Sequence, residues 1–273
     1  MRVHFLGGPQ MAKLQAMLRR SLPASASRFS DHSARLADFE AAGLQTAIER
    51  ADIVVVELSA LGDPGQRRAR LAALCDAEII ALPEIRLDGL ASLELEASAD
   101  GAVLHGLDPL MPVLSGEDDR GVVLERFVRG EIDMQQGARL NRSLAAMRAL
   151  EEQHCDLTLV GVIEALLQET PVLYGVTAPT QTVLFRCFER LCDDLGIDPD
   201  PTMCWDPVFT ASLALSPGLR TFTPWDVRAH RLTYEADTHW YPKAAKLINR
   251  AWALVHSGQD HADGALSPIA LYA

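Results

Sequence analysis

The run Asp52-Ile53-Val54-Val55-Val56-Glu57-Leu58 constrains this chain most. A β-branched aliphatic run of that length is the mark of a strand buried on both faces of a parallel sheet. It ends in a loop with Gly62, Pro64 and Gly65, and the spacing predicts a helix over Arg67–Leu74. Glu78–Leu82 reads as a further strand, stopped by Pro83. Upstream, Val3–Leu6 is a short apolar strand. Gly7-Gly8-Pro9-Gln10 turns it into a helix with apolar Met11, Leu14, Met17, Leu18 and Leu22. Proline suits a first helical position, where its missing N–H would be unpaired anyway. Strand, glycine turn and helix in succession open a parallel α/β sheet. The expected fold is therefore α/β, a mainly parallel sheet with helices on both faces. In such folds ligands sit beyond the carboxyl ends of the strands, which is where Gly7, Gly8 and Gln10 would lie.

Further on, the periodicity predicts helices over Leu36–Arg50, Asn141–His154 and Pro179–Leu195, the last closed by Gly196. Leu157–Leu167 reads equally as strand or helix, and Pro171–Val176 reads as a strand. From Arg86 to Gly116 the pattern breaks up around Pro109 and Pro112, so an irregular insertion is expected near residues 86–118. Pro199–Pro224 reads as irregular. Ala244, Leu247, Ile248, Ala251, Trp252 and Val255 form one face of a last amphipathic helix. No composition shift cuts the chain, so we expect one α/β domain over residues 1–257 and a tail over 258–273.

Composition excludes some functions. A net charge of −12 argues against nucleic-acid binding, which needs a basic face for phosphates. The local exception is Gln66-Arg67-Arg68-Ala69-Arg70, which could meet a phosphate or serve as a solvated helix face. The five cysteines form no C-x-x-C pair and read as reduced thiols. No apolar run reaches the roughly 20 residues of a membrane span, and no signal peptide is evident, so a cytoplasmic location is expected.

Asp237 and His239, two residues apart before the last helix, are the candidate catalytic pair. A carboxylate can fix the imidazole tautomer while the other ring nitrogen takes a proton. Asp226 and His230, four apart, read as a surface pair or a cap. The Asp237–His239 spacing without a second ligand motif is poor evidence for a metal, and none is expected. Glu117-Asp118-Asp119 reads as a loop and helix cap, and Trp240 as a site wall or a core residue.

The order of elements resembles the SGNH hydrolase-like fold. Asp237-Thr238-His239-Trp240 is similar to the D-T-H-W motif of the alginate O-acetylation proteins, where Asp and His serve acyl transfer. Phe5-Leu6-Gly7-Gly8-Pro9-Gln10 resembles the L-G-N-C-Q opening of the capsular polysaccharide biosynthesis enzyme WcbI family. Ser143–Glu151, Asp156–Leu167 and Val176-Thr177-Ala178-Pro179-Thr180 resemble that family's central region, which ends in N-H-P. The resemblance implies coenzyme A or an acyl-CoA as donor and a sugar or polysaccharide precursor as acceptor. This chain departs from it at three places: Pro9 stands at the cysteine, Gly8 at the asparagine before it, and Ala178 at the histidine. The two asparagines, Asn141 and Asn249, both fall in predicted helices, so an oxyanion Asn after the Val54–Val56 strand is missing.

Three readings follow. His239 is a general base for direct O-acyl transfer, with Gly7, Gly8 and Gln10 at the oxyanion or cofactor end and Arg67, Arg68 and Arg70 toward the nucleotide phosphates. Alternatively, a relocated serine, Ser115 or Ser59, is an esterase nucleophile. Alternatively, the chain is a catalytically degenerate binder of a ligand or partner.

Overall fold

The computed structural model describes residues 2–22, 33–34, 48–60, 62–98, 101–117, 119–198, 219–236, 238–256 and 265–266. Asp237, most of the expected Leu36–Arg50 helix, residues 199–218 and nearly all of the 258–273 tail lie outside them. The chain divides into two compact units. Unit 1 comprises Met1–Ile85, Leu144–Ala165 and Pro179–Leu215; unit 2 comprises Arg86–Ser143, Leu166–Ala178 and Ser216–Ala273.

Unit 1 is built on a parallel sheet of β1 (Val3–Leu6), β2 (Ser33–Ala34), β3 (Ile53–Leu58) and β4 (Glu78–Pro83), in the order β2-β1-β3-β4. Every residue of β1 and β3 is buried. Side chains alternate across a strand. Val54, Val56 and Leu58 thus share one face, packed with Leu71 and Leu150. Leu71 belongs to α2 (Pro64–Leu74), the helix expected after the Gly-rich loop. Ile53, Val55 and Glu57 take the other face. α1 (Pro9–Ser21) follows β1 directly, with Pro9 in its first turn. The aliphatic run is satisfied because helices flank the sheet, as expected. Each fully buried valine or leucine contributes about 1.5–3 kcal/mol.

In unit 2 the stretch expected as an irregular insertion does leave the parallel sheet, but it carries regular structure. It holds the hairpin of β5 (Leu93–Ser98) and β6 (Gly101–His105) and then α3 (Leu107–Gly116), with Pro112 inside the helix. α4 (Arg120–Val128) follows, N-capped by Asp119, whose Oδ1 accepts from Gly121 N at 2.7 Å.

Next along the chain come α5 (Gln136–His154) and α6 (Val160–Leu166), the latter settling the 157–167 ambiguity as helix. β7 (Leu173–Gly175), β8 (Ala178–Pro179) and α7 (Gln181–Leu195) follow. α7 is closed by Gly196 in the left-handed region, as expected.

The remaining elements are β9 (Leu219–Thr221), α8 (Pro224–His230), α9 (Trp240–His256) and β10 (Ala265–Leu266). An antiparallel sheet runs β10-β6-β5-β9. α9 buries Ala244, Leu247, Ile248, Ala251 and Leu254 in the unit 2 core with Leu93, Leu110, Leu114 and Phe127. Trp252 and Val255, expected on that face, lie half-buried at its edge. No described helix is long and apolar enough to cross a membrane.

Candidate functional site

β1, β3 and β4 are neighbours and run parallel, so the turns that leave them lie at one edge of the sheet. This edge brings together the Gly7–Gln10 turn and a residue the sequence reading passed over, Glu57. Gly8 N donates to Glu57 Oε2 at 2.5 Å. Gly7 makes the approach possible, since a Cβ there would lie 2.6 Å from Glu57 Cβ and 2.7 Å from Oε2. Burial pushes the Glu57 carboxyl up to about 7; the Gly8 N–H opposes the rise and the Glu84 carboxylate adds to it. A carboxylic acid that titrates near neutrality therefore sits under the turn. Cys187 of α7 also feels its charge. Burial foremost pushes that thiol up to about 12, so it stays protonated.

The turn is largely committed within the protein. The Gly8 N–H, expected at an oxyanion, is taken by Glu57. The Gln10 side chain is buried: its Nε2 donates to Pro83 O at 3.3 Å, and its Oε1 accepts from Ile85 N at 3.4 Å. Gln10 thus ties the start of α1 to the end of β4. The signal for Glu57 was present as an acid in the next-to-last position of an otherwise aliphatic strand.

The three arginines of α2 differ. Arg68 Nη1 donates to His154 O at 2.7 Å, and Nη2 meets Asp156 Oδ1 at 2.9 Å. Asp156 Oδ2 in turn accepts from Ala81 N of β4 at 2.7 Å, so Arg68 braces the helix to the sheet. Arg70 is exposed. Arg67 lies one turn into α2, and a Cβ on Gly62 would lie 3.0 Å from its Nη2, so the guanidinium rests on the loop that follows β3. Among the described residues no hydrogen bond or ion pair engages that guanidinium. Ser59, in the same loop, is half-buried.

In unit 2, His239 is exposed immediately before α9, and its carbonyl accepts from Lys243 N at 3.4 Å. Its expected partner Asp237 lies outside the described residues. Trp240 packs against the unit 2 core and meets Tyr241 edge-on, with centroids 6.0 Å apart. Ser115 is exposed in the last turn of α3. Among the described residues, no group of three or more His, Cys, Asp or Glu stands together as a metal-holding set.

Asp226 and His230 are buried, not a surface pair. Asp226 is a cap. Thr223 N and Oγ1 both donate to its Oδ2 at 2.8 Å, and its own N–H donates back to Thr223 Oγ1 at 3.2 Å. Its Oδ1 accepts from Ser92 Oγ at 2.6 Å and from Gln136 Nε2 at 3.3 Å. Burial raises its pKa, and these hydrogen bonds oppose the rise. His230 Nε2 lies 2.8 Å from Gly89 O. Burial lowers the His230 pKa, so at neutral pH the ring is neutral and Nε2 donates to that carbonyl. Arg139, almost fully buried, holds Asp88 and donates to Ser92 O at 3.0 Å.

No protein-family model matches this sequence. No curated protein matches it either. Among solved structures the fold is similar to that of WcbI, described as a novel polysaccharide biosynthesis enzyme, in native form without a disulfide bond between coenzyme A and a cysteine. The TM-score is 0.57 at 12% identity, over 94% of this chain and 95% of that one. The likeness is one of fold.

Proposed function

We propose that this chain binds coenzyme A or an acyl-CoA thioester and transfers the acyl group to a hydroxyl of a sugar or polysaccharide precursor. The fold similarity to WcbI over nearly the whole chain carries the reading. Arg67 supports it, as a guanidinium at the sheet's carboxyl edge with no described carboxylate partner and the geometry to meet a phosphate. Pro9 offers no nucleophile at the position where the family resemblance sets a cysteine. Transfer is therefore direct in this reading. His239 is the general base, Asp237 its orienter, and the leaving thiol departs as the acceptor oxygen bonds to the acyl carbon. With Gly8 N–H held by Glu57, Gly7, Gly8 and Gln10 shape the donor end of the site rather than donate to an oxyanion.

A second reading is favoured by the same turn. Its Gly8 N–H and Gln10 side chain are engaged within the protein and its nucleophile is absent, which suits a protein that binds the ligand without chemistry.

Calorimetry with CoA and acetyl-CoA tests the donor. Micromolar binding is expected, about −8 kcal/mol. Arg67→Ala should weaken it about tenfold, the loss of one charge-assisted contact. Arg68→Ala should act on stability instead, because that side chain is tied to Asp156. Absence of binding to both ligands would end the acyl-transfer reading. In an acyl-transfer assay, His239→Ala should lower kcat by about 100- to 10,000-fold, the worth of one positioned base. An unchanged kcat would leave binding without His239 chemistry.

A further inference from the structure

Unit 2 contains a cleft of about 550 Å³, lined by none of the residues assigned to acyl transfer. Its size falls within the roughly 300–1,000 Å³ of small-molecule sites. Ser92 and Gln136 line it, with Glu131, Asp133, Trp225 and Arg228 around them. We propose that this cleft binds a neutral sugar ring; its role as acceptor rests on the acyl-transfer reading, but the binding does not.

Ser92 is buried and its hydroxyl has one hydrogen to give, which goes to Asp226 Oδ1 at 2.6 Å. It accepts Gln136 Nε2 at 2.9 Å, which leaves one lone pair. Gln136 spends its amide hydrogens on Ser92 and Asp226, so its Oε1 remains an acceptor. At the rim, Glu131 and Asp133 are exposed carboxylates. Among the described residues Asp133 Oδ1 takes only Gln135 N, at 2.9 Å. The side chains facing the cleft are thus mostly acceptors, and they suit a ligand rich in hydroxyl donors.

Asp226 fixes the Ser92 and Gln136 orientations before any ligand arrives, because its own carboxylate is tied down by Thr223. A satisfied buried network of this kind is rigid. Trp225 supplies an apolar wall. Its Nε1 donates to Val128 O at 3.2 Å, and the Arg228 guanidinium lies 4.1 Å over the ring. Ile132 and Met134 add apolar lining beside it.

Charge decides against a polyanion. Among the described residues that line the cleft, Glu131 and Asp133 are the carboxylates and Arg228 is the cation. Arg129, 3.8 Å from Glu131, is already shared with Glu125. The local balance is negative, which repels uronates, sulfated sugars and the phosphates of coenzyme A.

The test is saturation-transfer NMR and titration of the full chain with methyl α-glucoside, methyl α-galactoside and methyl α-mannoside, against glucuronate. At least one neutral glycoside should bind with a millimolar Kd, and glucuronate should bind more weakly. Ala229→Trp fills the cleft from an exposed helix position and should abolish the signal. Glu131→Ala should weaken binding about three- to tenfold, the worth of one hydrogen bond. Both sites are exposed, so the urea midpoint should not move in either variant. CoA binding by Ala229→Trp should equal that of the wild type. Failure of all three glycosides, tighter binding of glucuronate, or binding that survives Ala229→Trp would overturn the cleft. Glycoside binding without CoA binding would keep the cleft and remove acyl transfer; the converse would do the reverse.

Discussion

Glu57→Gln should be more stable than the wild type at pH 8 by about 3 kcal/mol, and equal to it near pH 4. The Glu57 carboxyl titrates at about 7 in the folded chain against 4.5 when unperturbed. Below 4.5 the group is protonated in both states, and its contribution to stability is fully present. Between 4.5 and 7 the unfolded chain releases the proton and the folded chain holds it, so stability falls with rising pH. Above 7 both states are ionised and the loss is complete and constant. Stability falls by about 1.4 kcal/mol for each pH unit crossed in that window, which gives the 3 kcal/mol.

Gln keeps an oxygen for the Gly8 N–H and never ionises, so the variant escapes the loss. Urea titrations of both proteins from pH 4 to pH 8 measure the difference, and carboxyls common to both cancel. A wild-type-to-variant difference that stays flat across this window would show that Glu57 is not held in the dry setting that Gly7, Gly8 and Met11 form. A rise in stability of the wild type alone with pH would give the opposite sign and refute the assignment outright.

Gly106→Ala should destabilise by about 3 kcal/mol or more, the upper end of overpacking with backbone strain added. Gly106 caps the start of α3 at φ +82, a conformation that side chains seldom adopt. An added Cβ would also overlap the Ser92 carbonyl oxygen, and it would lie 2.9 and 3.0 Å from Arg139 Nη1 and Nη2. Neither neighbour can yield cheaply. The Ser92 carbonyl accepts from Arg139, whose buried guanidinium is held by Asp88. Moving that cation off its partners leaves charge buried without compensation. Burial is the largest influence on Asp88 and raises its pKa, but the hydrogen bond and charge of Arg139, with His105 and the Gly89 N–H, together outweigh it and leave the carboxyl below its ordinary value. Urea denaturation at pH 7 reads the loss. Glycoside binding should fall with it, since Ser92 lines the cleft. A stability within about 0.5 kcal/mol of the wild type, the range of innocuous surface changes, would sink the prediction.

Much of the fold was legible because its signals are local. Ile53–Val56 is aliphatic on both faces, and a parallel sheet covered on both sides buries such a strand. The strand-to-helix passage at Gly7-Gly8-Pro9 and the apolar face of α9 are read from neighbours three or four residues away. The β5–β6 hairpin was missed although Leu93-Glu94-Leu95-Glu96 alternates as a strand should. Pro109 and Pro112 drew the reading toward irregular chain, yet both lie within α3.

The site chemistry was less legible for a physical reason. The environment that raises the Glu57 pKa forms only once β1 and β3 pair, bringing up Gly8 from 49 residues earlier. Asp226 and His230 have the spacing of an exposed helical pair. What makes Asp226 a buried organiser is Ser92, 134 residues away. Local periodicity determines which residues are strand, helix and core. Which polar group ends up dry, which carboxyl meets which N–H, and where a cleft opens depend on long-range pairings that only the tertiary structure decides. Desolvation, which sets those energies, is a property of the folded surroundings and not of the residue.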